Sequence, residues 1–294
     1  MSQQSQEQYQ FIAAILTKHL GPGNAIDDLQ FFYGGNFNLA VRVKTGDSEY
    51  FIKWTQSEHQ GLFEAEAKNL QLIQKTGAIN VPNVLGVGTL DEKEYLMLDC
   101  IQWAEKSTHY WSDFGNKLAH LHQQPASKGH GLDYDNFLGA AKQDNTWQMD
   151  GVKFFIQNRL KKQVDAAIYH RKISAEMEEK FNLLYDKLPQ LIPNESSALL
   201  HGDLWSGNAM VNENGEITLV DPCCYFGLRE AELAFTTMFG GFPTEFYEAY
   251  HRTFPIEKDF HQRIPLYNLY PLMVHVNLFG EGYLPAVTKI LSSY

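Results

Sequence analysis

Three polar residues near the middle of the chain have the types and the spacing of a proton-accepting base beside a metal site. Asp203 lies in the segment 200–208, Asn208 closes that segment, and Asp221 follows later, just before a proline. A carboxylate can accept a proton from a reacting group, and amide and carboxylate oxygens are ligands that suit Mg²⁺. We therefore expect Asp203 to act as a base and Asn208 and Asp221 to bind a hard cation.

The chain between the two expected ligands has the pattern of a β-hairpin. Apolar-rich runs lie on either side of Asn214-Gly215, a dipeptide that favours a two-residue type I′ turn. A two-residue loop would place Asn208 directly opposite Asp221, with Cβ atoms roughly 4.5 to 5.5 Å apart. The alternative is that each polar residue only caps a turn or ends a strand. The shared register favours a single site.

Composition narrows the class of protein. The 294 residues, 44% hydrophobic and 20% charged, suffice for one large or two smaller domains. A net charge of −11 and the lack of a Lys/Arg run argue against a nucleic-acid partner. No apolar run approaches the ~20 residues of a membrane span, and the first residues lack the pattern of a signal peptide. Three cysteines, two of them adjacent, are typical of a reducing compartment, so we expect a cytoplasmic protein.

A β-rich first third of the chain precedes a mostly helical remainder. Strands are predicted around 31–33, 39–43, 50–54, 84–87 and 95–98, and helices around 5–20, 62–75, 111–123, 147–170, 174–188, 230–239, 244–252 and 262–278. We therefore expect an α+β fold of two lobes. The predicted boundaries are an N-terminal lobe of residues 1–98, a hinge at 99–102 and a C-terminal lobe of residues 103–294.

The first lobe carries charges that a nucleotide would need. Lys53 interrupts an apolar strand, where an ammonium group requires an anion. In the next predicted helix, Glu66 borders the apolar stripe, whereas Glu64 lies among polar residues, so Glu66 is the expected partner of Lys53. The backbone amides of Gly34 and Gly35 could approach phosphate oxygens. The alternatives are two solvated surface charges and a plain turn.

Together these residues resemble the protein-kinase-like fold, specifically its aminoglycoside and choline phosphotransferase branch. The pattern is most similar to the fructosamine kinase family, over about residues 30–290. The segments that carry the resemblance are 33–35, 51–53, 63–67, 118–122, 135–136, 199–208, 221–222, 229–230, 239–243 and 277–280. The segment containing Trp205 is specific to that family, whereas the spacing of Asp203, Asn208 and Asp221 identifies only the wider superfamily.

The resemblance implies ATP-dependent phosphoryl transfer to a sugar hydroxyl. Asp203 would accept the hydroxyl proton, and Asn208 and Asp221 would hold Mg²⁺. Lys53, positioned by Glu66, would neutralise the α- and β-phosphates of ATP. Most of the rate would come from positioning and charge compensation.

The resemblance also implies binding roles for residues around this centre. On the nucleotide side these are the backbone of Asp99, Cys100, Ile101 and Gln102 at the adenine, with Gly34 and Gly35 at the phosphates. On the substrate side, Trp205 would lie against the sugar and His201 would brace the loop.

The substrates of the family are ketosamines, the products of amine glycation, which are phosphorylated at the 3-hydroxyl. The implied partners are a small sugar-amine or glycated protein amines, and a monomer is favoured. Two alternatives stay open: a kinase of the same fold for another amino-alcohol or aminoglycoside-like substrate, and a non-catalytic nucleotide-binding scaffold. The intact set of polar residues argues against the scaffold.

Several positions depart from the family pattern or carry reactive groups without an implied role. Asn36 stands where plant and animal members often have a cysteine, so we predict no redox switch there. Leu228 replaces a residue that is often polar, and Glu232 replaces a common Asp. His120 and His122 lie two apart in a helical pattern and should not bind zinc together. The residues expected to be buried thiols are Cys100, Cys223 and Cys224.

Overall fold

The computed structural model describes residues 3–32, 38–55, 61–126 and 128–294. Within them, an antiparallel sheet near the N-terminus is followed by a mostly helical region, which confirms the expected α+β, kinase-like fold. Gly34, Gly35 and Asn36 lie outside the described residues, so their expected roles stay predictions.

The N-terminal sheet has five strands in the order β1-β2-β3-β5-β4, all antiparallel to their neighbours. The strands are β1 (Asp28–Phe32), β2 (Asn38–Thr45), β3 (Ser48–Thr55), β4 (Val84–Leu90) and β5 (Lys93–Asp99). Helix α1 (Gln3–Leu20) covers one face, where Ile12 and Leu16 pack with Ile52 and Trp54. Because side chains alternate between the faces of a strand, Lys53 lies on the other face.

Helix α2 (Leu62–Thr76) covers that second face. Phe63 and Leu70 pack against Leu96 and Leu98 of β5. The helix ends at Gly77, whose φ of 63° is the left-handed conformation usual after a helix C-terminus. This packing directs the apolar stripe of α2, and the polar residues bordering it, toward Lys53.

The rest of the chain is built from helices with short two-stranded sheets between them. The helices are α3 (Tyr110–His122), α4 (Gly151–Phe154), a π-helical segment (Phe155–Leu160), α5 (Lys161–Tyr169), α6 (Ala175–Leu191), α7 (Arg229–Phe235), α8 (Thr244–Thr253), α9 (Phe260–Phe279) and α10 (Leu284–Leu291). The paired strands are β6 (Asn136–Leu138) with β7 (Ala141–Gln143), β8 (Ala198–Leu200) with β11 (Tyr225–Gly227), and β9 (Ala209–Val211) with β10 (Ile217–Leu219). Short 3₁₀ turns span Ser206–Asn208 and Glu281–Tyr283.

The long helix α9 forms the centre of the largest apolar cluster. Its residues Leu269 and Met273 are fully buried, and α5, α6 and α10 contribute to the same cluster. Within the described ranges, no helix combines the length and the apolar character needed to cross a membrane.

Two helices are shorter than their sequence-based predictions. The helix predicted at 147–170 begins only at Gly151, because the side chain of Asp150 accepts a hydrogen bond from the Lys153 amide (2.9 Å) and caps the first turn. The helix predicted at 230–239 ends at Phe235. Beyond it, the hydroxyl groups of Thr236 and Thr237 donate to carbonyls three residues back, a local bond that competes with helix continuation.

Candidate active site

The loop after β8 places Asp203 in the wall of a cleft. Gly202 has a φ of 89°, and a Cβ atom there would lie 2.1 Å from the carbonyl oxygen of Cys223. Only glycine fits so close a contact. The loop therefore turns tightly beside the segment that follows Asp221.

His201 braces this loop, as its predicted role requires. Its Nε2 atom lies 2.9 Å from the carbonyl oxygen of Val220, and its Nδ1 atom accepts from the Asp203 amide at 3.3 Å. These partners imply the neutral tautomer protonated on Nε2. Burial lowers the pKa of His201, although the Glu232 carboxylate opposes that shift. The ring thus fixes the backbone of Asp203 while remaining uncharged.

Glu232 is a second brace that the sequence interpretation treated only as a conservative replacement. Its carboxylate accepts from the backbone amides of His201 (3.1 Å) and Gly202 (2.6 Å) and from Nε2 of His122 (2.8 Å). Burial acts to raise the pKa of Glu232, but these donors hold it below its usual value. His122 is buried, whereas His120 is exposed, so the two do not meet at a metal.

The hairpin between Asn208 and Asp221 forms, but its predicted register is wrong by one residue. Val211 lies opposite Ile217, and the Val220 amide donates to the Asn208 carbonyl at 3.1 Å. Asn208 is therefore opposite Val220, and Asp221 lies one position beyond the ladder.

A three-residue loop accounts for the shift. Asn212 and Glu216 close the ladder, since the Asn212 amide donates to the Glu216 carbonyl at 2.9 Å. The Asn212 side chain also accepts from the amides of Asn214 (3.0 Å) and Glu216 (3.1 Å). Gly215 has a φ of 73° at the third loop position, the arrangement usual in three-residue hairpin loops.

Asn208 and Asp221 nevertheless both lie near Asp203. The Asn208 amide nitrogen donates to the backbone and the carboxylate of Asp203, at 2.8 and 2.9 Å. That orientation leaves the amide oxygen as the atom that could bind a cation. Asp221 adopts a φ of 57° and keeps its side chain 49% exposed, facing the cleft.

The oxygen atoms of Asn208 and Asp221 fit Mg²⁺, which binds through few protein ligands and completes its shell with water and phosphate. Among the residues that the structure describes, no group of three or more His, Cys, Asp or Glu side chains is arranged to hold a metal. A sparse oxygen site of this kind would need the phosphates of a nucleotide to be complete.

Lys53 joins the two sides of the cleft. Its Nζ atom donates to Glu66 at 2.8 Å and to the carboxylate of Asp221. Burial acts to lower the pKa of Lys53, but these two carboxylates raise it, so the ammonium stays charged. Glu64 pairs instead with Lys68 at the surface. The predicted choice of Glu66 over Glu64 is confirmed.

Asn69 is a buried contributor that the sequence interpretation missed. One turn beyond Glu66 on α2, its side chain donates to the Pro222 carbonyl (2.9 Å) and accepts from the Tyr134 hydroxyl (3.0 Å). It therefore ties α2 to the residue after Asp221. The available signal was a polar residue within the apolar stripe of a helix.

The cleft encloses a cavity of about 140 Å³, into which Lys53, Glu66, Asp203 and Asp221 project. Burial raises the pKa of Asp203 to about 7; the nearby carboxylates of Asp221 and Glu232 add to this shift, and the Asn208 hydrogen bond opposes it. A base, a cation and the Asp221 carboxylate thus line one small space, and Asn208 is bonded to the base.

The predicted hinge leaves the end of β5. The Asp99 side chain accepts from the Asn83 amide at 2.7 Å, and the Cys100 amide donates to the Glu49 carbonyl at 3.3 Å. Gln102 bonds to the Glu49 side chain at 2.9 Å. Cys100 is only half-buried, contrary to expectation, whereas Cys223 and Cys224 are buried as predicted.

Trp205 follows Asp203 by two residues and is 36% exposed. Its ring covers Gly207, where a Cβ atom would come within 2.3 Å of it. The ring also contacts Phe239, with centroids 5.7 Å apart, and Phe239 contacts His275 at 5.4 Å. Leu228, by contrast, is buried in the apolar core.

Known proteins are similar to this chain in sequence and in fold. The sequence profile of the fructosamine kinase family matches residues 8–294. A probable ketoamine kinase of Lactiplantibacillus plantarum is 37% identical over 93% of the chain and 96% of its own length. The chloroplastic protein-ribulosamine 3-kinase of Arabidopsis thaliana is 34% identical over 95% of the chain and 86% of its own length.

Solved structures of other proteins also have a fold similar to that of this chain. A Haemophilus somnus protein, provisionally described as a fructosamine-3-kinase, superposes with a TM-score of 0.86 at 28% identity and covers 96% of each chain. A spectinomycin phosphotransferase, solved with ADP and spectinomycin, shares the fold at a TM-score of 0.59 and 17% identity, over 96% of this chain and 92% of its own. The chain belongs to the fructosamine kinase family of phosphotransferases.

Proposed function

We propose that this phosphotransferase uses ATP to phosphorylate the 3-hydroxyl group of ketosamines. The observation that carries the proposal is the convergence of Asp203, Asp221 and Lys53 on one cleft, with Asn208 bonded to the Asp203 carboxylate. The names of the relatives, ketoamine kinase and protein-ribulosamine 3-kinase, support the substrate class.

In the proposed reaction, Asp203 accepts the proton of the 3-hydroxyl as that oxygen attacks the γ-phosphorus of ATP. The new bond joins the sugar oxygen to phosphorus, the bond from phosphorus to the β,γ-bridging oxygen breaks, and ADP leaves. His201 and Glu232 keep the Asp203 backbone in place through the bonds described above. A raised pKa makes Asp203 a stronger proton acceptor than an ordinary carboxylate.

The phosphates need positive charge, which we assign to Lys53 and to Mg²⁺ held by Asn208 and Asp221. Bound Mg²⁺ would compensate the charge that the phosphate oxygens carry during transfer. Glu66 holds the Lys53 ammonium group at 2.8 Å, so the cation is in position before ATP binds.

We assign the remaining predicted residues to binding. The backbone of residues 99–102 would contact adenine, the glycines at 34 and 35 would approach the phosphates, and Trp205 would lie against the sugar. The chain would accordingly divide into a nucleotide-binding lobe and a substrate-binding lobe at residues 99–102.

The product has a consequence for the glycated amine. A phosphate at C3 lies beside the C2 carbonyl and becomes a good leaving group once the sugar enolises. The adduct can then collapse and release the free amine, which would make the reaction a step of deglycation.

A substrate panel tests the proposal. We expect turnover of ribulosamines, erythrulosamines or fructosamines to exceed that of choline, homoserine and aminoglycosides under the same concentrations of ATP and Mg²⁺. Coupled detection of ADP measures each rate. Turnover of another amino-alcohol without turnover of any ketosamine would replace the proposed substrate class, and ATP binding without any turnover would favour a scaffold.

A further inference from the structure

A second cavity, of about 470 Å³, lies between the residues after α7 and the helices α9 and α10. Apolar side chains, including Met238, Ile264 and Leu272, supply most of its lining. The proposed reaction assigns no role to this cavity.

An aromatic contact connects the wall of the cavity to Trp205, the residue proposed to lie against the sugar. Phe239 forms part of its wall and also contacts Trp205, two residues after the proposed base. On α9, Asn268 and Leu272 line the cavity, and His275 follows on the same helical face and touches Phe239. Phe239 therefore belongs to the cavity wall and contacts Trp205 as well.

Two polar groups in this cavity lack partners. Asn268 is 8% exposed, and its Oδ1 atom is buried without a hydrogen-bond partner, which is costly unless a donor arrives. Its amide nitrogen makes only a long 3.5 Å bond to Thr237. Lys289, at the exposed edge, forms no ion pair with any residue that the structure describes. An apolar cavity thus offers one buried acceptor and one free cation.

The geometry points to this cavity as the subsite for the amine substituent of the ketosamine. The ligand class is an aliphatic chain that passes Phe239, carries an N–H donor for Asn268 and ends in a carboxylate beside Lys289. This assignment rests on the proposed function and deepens it, because it states which glycated amines the enzyme prefers.

Four ketosamines that share one sugar and differ only in the amine test the assignment. The amines are methylamine, hexylamine, 6-aminohexanoate and lysine glycated at its side-chain amine. Lengthening methylamine to hexylamine should raise kcat/KM about tenfold by adding apolar contact. The carboxylate of 6-aminohexanoate should add a further two- to fivefold, about the value of a surface ion pair. The α-ammonium group of lysine supplies the donor for Asn268.

Three variants separate the contributions. Ala286 lies on α10 and lines the cavity. Ala286→Trp should therefore fill the cavity and abolish the advantage of hexylamine, while the methylamine ketosamine, which does not reach it, keeps its kcat/KM. Lys289→Gln should remove only the advantage of the carboxylate. Asn268→Leu should remove only the added preference for lysine. Ala175→Trp and Lys258→Gln, at exposed positions outside the cavity, serve as matched controls.

The outcomes distinguish this assignment from the proposed function. Equal kcat/KM for all four ketosamines, or an Ala286→Trp variant with wild-type preferences, would overturn the subsite and leave the proposed function standing. Failure of the wild-type enzyme to turn over any of the four would overturn both. Thermal unfolding of each variant checks that the fold is retained.

Discussion

Asp203 is positioned mainly by its neighbours. The His201 ring holds its backbone amide, Glu232 holds the amides of the two preceding residues, and Asn208 holds its carboxylate. Each of these partners is itself buried, so the proposed base has little freedom to move. This rigidity is what a reaction that depends on positioning requires.

Replacing the proposed base should separate chemistry from binding. We expect Asp203→Asn to lower kcat by ~10² to 10⁴, because the amide cannot accept the hydroxyl proton. The KM for ATP should stay close to that of the wild type. Steady-state kinetics with a ketosamine measure both quantities, and Asp186→Asn, at an exposed position on α6, is the matched control. A kcat near the wild-type value would assign the base elsewhere.

Two glutamates on helix α2 allow a matched comparison. Glu66 pairs with Lys53, whereas Glu64 pairs with Lys68 on the surface. Glu66→Gln should lower kcat/KM for ATP about 10- to 100-fold, since Lys53 loses the group that positions it. Glu64→Gln should leave it unchanged. Equal effects of the two substitutions would contradict the assigned pairing.

At the scale of the elements, periodicity predicted most helices and strands, and it predicted that Glu66 rather than Glu64 faces Lys53. Those features depend on the periodic spacing of apolar residues, which a single sequence displays. The hairpin register could not be predicted in this way, because the Asn212 side chain accepts from the amides of Asn214 and Glu216 and sets a three-residue loop. The preference of Asn-Gly for a two-residue type I′ turn takes only that dipeptide into account. Nor could the sequence show that Glu232 meets the amides of 201 and 202, which folding brings together.

Helix α2 is fixed to the rest of the molecule by Asn69, and this contact should matter for catalysis. Asn69→Leu leaves the Pro222 carbonyl and the Tyr134 hydroxyl without their partner, a loss of about 1 to 3 kcal/mol in stability. Because α2 carries Glu66, we also expect kcat/KM for ATP to fall about tenfold.

Gln71→Leu, on the exposed face of the same helix, is the matched control for Asn69→Leu. Chemical denaturation gives the stability of each variant, and steady-state kinetics give the rate. A destabilised Asn69→Leu enzyme with full activity would limit Asn69 to a purely structural role.

At the scale of the whole molecule, the site exists only because distant segments converge. Lys53 comes from the sheet, Asp203 and Asp221 come from the helical region, and Asn69 bridges the two. The site therefore depends on global stability, which buried titratable groups make sensitive to pH.

Acid should act on stability through these buried groups in two directions. Burial lowers the pKa of His130 and of His201, so below about pH 6.5 the unfolded chain binds protons that the folded chain excludes. The stability that these imidazoles contribute is therefore full above that pH and falls below it, and the lowered pKa of Glu232 adds a further loss at lower pH. The raised pKa of Asp203 opposes this fall, because the folded chain takes up that proton at about pH 7 and the unfolded chain does so only at lower pH.

Urea denaturation at intervals from pH 8 to pH 4 measures this dependence. Because Asp203 titrates alike in both proteins, the difference between wild type and His130→Leu isolates the imidazole. We expect the free energy of unfolding of the wild type to fall relative to that of His130→Leu as the pH drops below about 6.5. A difference between the two proteins that stays constant down to pH 5 would contradict the neutral, buried state of His130.

The most direct test of the central claim is the position of the phosphate on the product. Wild-type enzyme, ATP, Mg²⁺ and a ¹³C-labelled ketosamine should give one phosphorylated sugar, and phosphorus–carbon coupling in its NMR spectrum locates the ester. We predict coupling centred on C3 of the sugar. Phosphate on another hydroxyl, or no phosphorylated ketosamine at all, would contradict the proposed function.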